Sequence, residues 1–187
     1  MDRSSAHPSG PGGDPGPDAA PPDTTAPASF EPHDHARCAE AARAEVVAAC
    51  AARGLRLTPA RAFVLDRLLA SHRAMTAYEL LDALAAAGMP SQPPVVYRAL
   101  DFLVSNGFAH RIERLGAFAA CTCGPETKGA AHRAAFLICR DCRRVAEIAM
   151  PRPPRSLAEL AGAAGFAIER VVIEAEGLCA RCRDAAQ

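Results

Sequence analysis

Four cysteines in two close pairs are the residues of this chain best equipped for chemistry. Cys139-Arg-Asp-Cys142 and Cys179-Ala-Arg-Cys182 are two C-x-x-C knuckles, with residues 143–178 between them. Each knuckle brings two thiolates close enough to share one ion, and two knuckles complete the tetrahedron that zinc takes in structural sites. Four thiolates close the coordination shell and leave no position for a reacting water, so the implied role is structural. Iron in a rubredoxin-like site suits the same four sulfurs. A dithiol redox couple needs only one C-x-x-C in a strand–helix–strand setting, which argues against that reading. The metal would staple a short C-terminal segment whose own core is marginal for its length.

The other cysteines carry less information. Of eight in the chain, Cys38 and Cys50 read as half-buried helix residues rather than ligands, and Cys121-Thr-Cys123 offers two thiols in a connector. His33 and His35, at the edge of the N-terminal tail, receive no role. No basic flank precedes an apolar core at the N-terminus, and no run approaches the roughly 20 apolar residues that span a bilayer. The expectation is a cytoplasmic protein whose thiols bind metal rather than pair as disulfides. Formal net charge is +0, so no global basic excess points to nucleic acid. Residues 54–114 nevertheless hold seven arginines against five acids, whereas the first thirty hold one arginine against four aspartates. A modestly basic middle permits DNA binding without demanding it.

The elements that must position these groups can be read along the chain. Residues 1–34 contain eight of the sixteen prolines and no Leu, Ile or Val, so they cannot bury enough apolar surface to fold and read as a disordered tail. A helix is expected from His35 to Arg53, closed by Gly54. Thr58 caps a second helix with Pro59 at its first position and Val64, Leu65, Leu68 and Leu69 on one face. Thr76 and Glu79 have capping-box spacing ahead of Leu80, Leu81 and Leu84. A fourth helix opens at Pro93-Pro94 and buries Val96, Leu100 and Leu103, leaving Arg98 on another face. Strands follow at His110–Arg114 and Ala117–Cys121. Helix, helix, turn, helix, hairpin is a winged helix-turn-helix pattern. Beyond it, strands are expected at Ala134–Cys139 and Val145–Ile148, a helix capped by Ser156 to about Ala164, and a strand at Ala167–Glu174. The fold class is α+β. A tail (1–34) leads to a winged-helix domain suited to DNA binding (35–119), a hinge (120–124) and a small α/β metal-binding domain (125–187) with a four-cysteine zinc site, to which a family resemblance assigns dimerisation.

Taken together, Leu57-Thr-Pro-Ala-Arg61, Val96-Tyr-Arg-Ala-Leu100 and the paired knuckles resemble the ferric uptake regulator family. Within it, the stretch from Pro93 to Leu103, Gly107-Phe-Ala-His-Arg-Ile-Glu113, Ser71–Tyr78 and Phe136–Cys142 are similar to the zinc uptake regulators. The likeness runs from about Ala36 to Arg183. It implies a homodimeric, zinc-responsive repressor whose subunits each bind half of a palindromic double-stranded DNA operator of zinc-uptake genes. It further implies a regulatory zinc on His110, Cys121, His132 and Glu147, beside a structural zinc on Cys139, Cys142, Cys179 and Cys182, about two zincs per chain. Cys123 competes with Cys121 for the thiolate role. An ion on that regulatory set would tie one domain to the other. A thiolate with imidazoles favours zinc over iron(II) or manganese. By the same resemblance Tyr78 and Arg98 are the specificity residues, Arg98 reaching a guanine edge or a phosphate and Tyr78 thymine methyls or the backbone, while Tyr97 and Arg61 contact phosphates. Family members often carry several histidines just before the first knuckle. Here only His132 stands there, so no third metal site is expected.

Other readings remain to be separated. A family member could instead sense iron, manganese, nickel or peroxide, against which Cys121 argues. Outside the family, the knuckles alone suit a zinc-ribbon adaptor or a thiol redox protein. An enzyme needs an open metal position with a general base, or an exposed low-pKa thiol, and the sequence supplies neither convincingly. No small organic substrate and no membrane partner are implied.

Overall fold

A computed structural model describes residues 29–30, 34–122, 134–149 and 154–185. Most of the proposed tail, the second half of the proposed hinge, Cys123 and His132 lie outside these residues.

Helix α1 (His35–Ala52) starts where Asp34 accepts the Arg37 N–H at 3.2 Å, and the chain turns after it at Gly54 with φ +63°. Helix α2 (Pro59–Leu69) has Thr58 as its cap and Pro59 in its first turn, and it buries Val64, Leu65, Leu68 and Leu69. Strand β1 (Met75–Thr76) leads into helix α3 (Ala77–Ala86), opened by a full capping box. Thr76 N–H donates to Glu79 Oε2 at 2.7 Å, and Glu79 N–H donates to Thr76 Oγ1 at 3.2 Å. Leu80 and Leu84 are buried, while Leu81 only packs against the edge of the core. Helix α4 (Pro93–Ser105) buries Val96, Ala99, Leu100 and Leu103. Each such leucine contributes about 1.5–3 kcal/mol by leaving water.

Strands β2 (Ala109–Ile112) and β3 (Ala117–Ala120) form the antiparallel wing, each ending before the expected Arg114 and Cys121. β1 pairs with the other edge of β3, giving the order β1-β3-β2. The sequence does not announce β1, because its two residues double as the start of α3.

The second sheet contains β4 (Ala134–Cys139), β5 (Val145–Ala149) and β6 (Ile173–Gly177) in the order β5-β4-β6. The expected strand at Ala167–Glu174 is displaced toward the C-terminus, and residues 166–172 form no strand. Parallel pairing with β4 sets the register: Ala135 faces Ile173 and Cys139 faces Gly177. That register delivers Cys179 beside Cys139, so knuckle geometry overrides the apolar alternation upstream. Helix α5 (Arg155–Ala163) begins one residue before Ser156. Pro154 occupies the cap and supplies no side-chain bond, so the expected Ser156 cap is not formed. A short helix α6 (Ala180–Asp184) completes the second knuckle.

The two sheets are not independent. Ala74, Ile112, Ala117 and Ala119 share one apolar cluster with Ala134, Phe136, Ile138 and Val145. Val145 N–H donates to the His72 carbonyl at 2.8 Å. At the wing tip, the Glu174 carboxylate accepts the N–H groups of Glu113 and Arg114 at 2.7 and 2.9 Å.

Candidate metal centres and DNA-facing surface

The four knuckle cysteines converge. Cys139 ends β4, Cys142 follows in the turn, Cys179 caps α6 and Cys182 lies within it. Their sulfurs all lie within 4.8 Å of one another, with Cys142 Sγ 3.9 Å from Cys179 Sγ. A zinc–sulfur bond of about 2.3 Å makes the edge of a tetrahedron about 3.8 Å, so the donor set fits zinc. Burial raises the Cys139 thiol pKa, but the N–H groups of Cys179, Cys142 and Asp141 outweigh it and bring the value down to about 6. Those donors prepare one sulfur as an anion. Phe30, from the segment read as a structureless tail, packs against this cysteine cluster, and Ser29 beside it is buried. One aromatic gave no periodic signal by which the sequence could reveal this contact.

The regulatory set assembles in part. His110 sits on β2, Cys121 follows β3 and Glu147 lies on β5. One donor atom from each lies within 4.8 Å of the others. His110 Nε2 is 2.7 Å from Glu147 Oε1, and the Cys121 thiol is 3.8 Å from the same oxygen. Glu147 Oε2 accepts the Thr122 N–H at 2.9 Å. The Glu147 side chain is only 3 % exposed, and the His110 ring tilts against Phe136 with centroids 5.0 Å apart. Burial lowers the His110 pKa, but hydrogen bonds to Cys121 and Glu147 and the Glu147 charge overcome it and raise it to about 9. His132, the fourth expected ligand, lies outside the described residues.

The DNA candidates lie on α2, α3 and α4. Tyr78, in the first turn of α3, is 75 % exposed, and Tyr97 on α4 is 48 % exposed. Arg98 is exposed, its Nε donating to the Pro94 carbonyl at 3.0 Å. Arg61 is folded inward: Nη1 donates to the Arg56 carbonyl at 2.6 Å, and the guanidinium carbon sits 3.8 Å from the Phe102 ring centroid.

The fold also gathers a third group of potential ligands. His35 and Cys38 of α1 meet His72, which follows α2, with one donor atom of each within 4.8 Å of the others. No motif could reveal it, because the helix and the loop meet only in the folded chain.

A winged helix that shares an apolar cluster with a small sheet domain, with four cysteine sulfurs gathered in the second and a His/Cys/Glu group between the two, has the architecture of a metal-responsive regulator. The chain belongs to the ferric uptake regulator family, whose sequence model matches residues 52–176. It is 41% identical over 133 residues to the zinc uptake regulation protein of Escherichia coli (strain K12), covering 71% of this chain and 76% of that protein. The zinc uptake regulation protein of Shigella flexneri matches to the same extent. Among solved structures, a zinc uptake regulator complexed with zinc and DNA superposes with a TM-score of 0.69 at 37% identity, covering 79% of this chain and 97% of that one. Holo XcZur superposes with a TM-score of 0.63 at 40% identity, covering 78% and 99%. The family is one of transcription regulators rather than enzymes. Among the described residues, no helix is long and apolar enough to cross a membrane.

Proposed function

We propose that this chain is a zinc-responsive transcriptional repressor, a cytoplasmic homodimer that binds palindromic operators of zinc-uptake genes when zinc is plentiful. The observation that carries this reading is the cluster of His110, Cys121 and Glu147, which draws ligands from the wing and from the second sheet. Its likeness to zinc uptake regulators, one of them bound to zinc and DNA, supports the same assignment.

About two zincs per chain are expected. Cys139, Cys142, Cys179 and Cys182 hold the structural one; His110, Cys121, His132 and Glu147 hold the regulatory one. Bound there, zinc supplies a centre that ties the wing to the second sheet. Glu147 is already fixed by the Thr122 N–H, so the ligand set is partly ordered before an ion arrives. Ligand binding shifts the population toward the DNA-competent arrangement only by its differential affinity. A coupling of about 1–3 kcal/mol gives roughly 5–150-fold tighter DNA binding.

On DNA, α4 is the recognition helix. Arg98 reads a guanine edge or grips a phosphate, Tyr78 meets thymine methyls or the backbone, and Tyr97 and Arg61 contact phosphates. Arg61 would do so through donors left over from its bond to Arg56. A second copy of the chain covers the apolar side chains of Leu160, Phe166 and Val172, which are 71, 67 and 43 % exposed in the single chain. Removing that much apolar surface from water favours a two-fold dimer, and its symmetry matches a palindrome.

The test is fluorescence anisotropy on a zinc-uptake operator with zinc buffered from scarce to abundant. Affinity that climbs with zinc supports the reading. Affinity that is indifferent to zinc, or that climbs equally with iron(II) or manganese, sinks it.

A further inference from the structure

We propose that His35, Cys38 and His72 form a third metal site, in which two imidazoles and one thiolate hold a zinc that fastens α1 to the loop between α2 and β1. It stands on its own geometry and does not depend on the DNA-binding reading.

The local spacing comes first. His35 and Cys38 lie three residues apart in the first turn of α1, which makes them neighbours on one helix face. His72 reaches them from the loop after α2, its ring centroid 4.6 Å from that of His35 at an interplanar angle of 57°. One donor atom from each of the three lies within 4.8 Å of the others. Zn–N bonds of about 2.0 Å and a Zn–S bond of about 2.3 Å put such donors roughly 3.3–3.5 Å apart. Small side-chain rotations close that difference. All three residues are half-buried, so the ion would be partly desolvated while keeping a path to solvent.

The chemistry of the set selects the ion. One thiolate and two imidazoles suit zinc and exclude magnesium and calcium, which demand oxygen. Three protein ligands leave the fourth position open. Glu45, seven residues beyond Cys38 on the same helix, lines the same cavity without joining the three donors, so a water completes the shell. An open site exchanges its ion more readily than the closed cysteine tetrahedron.

Position gives the site a consequence. The cavity it lines, of about 210 Å³, is also lined by Cys121 and Glu147. The loop carrying His72 is stitched to the second sheet: the His72 carbonyl accepts Val145 N–H at 2.8 Å, Arg73 bridges Arg144, and Ala74 N–H donates to the Arg143 carbonyl at 3.4 Å. A metal on these three side chains therefore locks α1 to the segment on which the two units meet. This is a second inter-element clamp, beside the one centred on Glu147.

Zinc per chain decides the matter, measured by elemental analysis after dialysis of the full-length protein against buffered excess zinc. Wild type should hold one more equivalent than Cys38→Ser and His72→Ala, with the equivalent sensitive to Cys121→Ser intact in both. Unchanged stoichiometry in the two variants overturns the site. Should either variant fail to fold, alkylation of wild-type Cys38 by iodoacetamide, followed by peptide mass spectrometry, gives the answer without substitution. Zinc should slow it roughly tenfold or more, because a metal-bound thiolate is withdrawn as a nucleophile. No slowing by zinc overturns the proposal. Neither measurement involves DNA, so a failed repressor assay would leave this result standing.

Discussion

His110 Nε2 lies 2.7 Å from Glu147 Oε1, and this contact joins the wing to the outermost strand of the second sheet. In the proposed repressor it spans the boundary whose geometry DNA binding must control. The Cys121 thiol lies 3.8 Å from the same carboxylate oxygen, so three residues from separate strands or strand ends meet around one point.

Protons and zinc should therefore compete at His110. Its pKa is raised from 6.5 to about 9, so in metal-free protein the protonated pair stabilises the fold fully below about 6.5 and loses that contribution as pH climbs through about 9. Zinc needs the neutral imidazole. Its affinity for this site should rise with pH below about 9, by at least about tenfold per unit, because His110 gives up its proton and the Cys121 thiol must give up its own. Competition with a chromophoric chelator at several pH values measures it. A flat affinity from neutrality upward contradicts this account of His110.

Loss of the cysteine tetrahedron should be far more damaging than loss of the regulatory ion. Structural zinc contributes about 10–16 kcal/mol in small domains, comparable to the whole stability of a typical protein. Cys139→Ser should strip one zinc and unfold the C-terminal sheet, with the α2–α4 core persisting on Leu65, Leu80, Leu84 and Leu103. Circular dichroism and hydrogen exchange would show helices retained and protection lost from β4 and β6. Full protection in those strands would mean the metal is dispensable.

The surface of α5 offers a test of the dimer. Leu160→Asp places a charge on a side chain that is 71 % exposed in the single chain, so folding of one chain should be nearly unaffected. Sedimentation should shift from dimer to monomer, and operator affinity should fall with it. An unchanged dimer would place the interface elsewhere.

Much of this was legible in the sequence, and the exceptions share a cause. Caps at Thr58 and Thr76, apolar periodicity in the three following helices, and the paired knuckles are all local signals. They gave the winged helix and the cysteine tetrahedron directly. The set of His110, Cys121 and Glu147 came only through family likeness, because nothing in sequence spacing links residues on three separate stretches of chain. Long-range geometry accounts for the misses. The β6 register is fixed by parallel pairing with β4, the cluster of His35, Cys38 and His72 by the docking of α1, and the Phe30 contact by a lone aromatic in a proline-rich segment.

Tyr78 and Arg98 can be separated from folding in the same way. Arg98→Ala removes an exposed side chain whose only internal bond described is to the Pro94 carbonyl. Thermal stability should change little, while operator affinity should drop by about 1–3 kcal/mol if the guanidinium reads a guanine. Equal weakening on operator and random DNA would reassign Arg98 to a phosphate contact.

The most direct test of the central claim is made on Cys121→Ser, with zinc per chain and operator affinity followed in the same preparation. The account predicts that the variant keeps its cysteine-tetrahedron zinc and its fold but loses one removable zinc. Its DNA binding should then stay at the metal-free level at every zinc concentration, roughly 5–150-fold below zinc-loaded wild type. A variant that still binds the operator more tightly as zinc is added would contradict regulation through His110, Cys121 and Glu147.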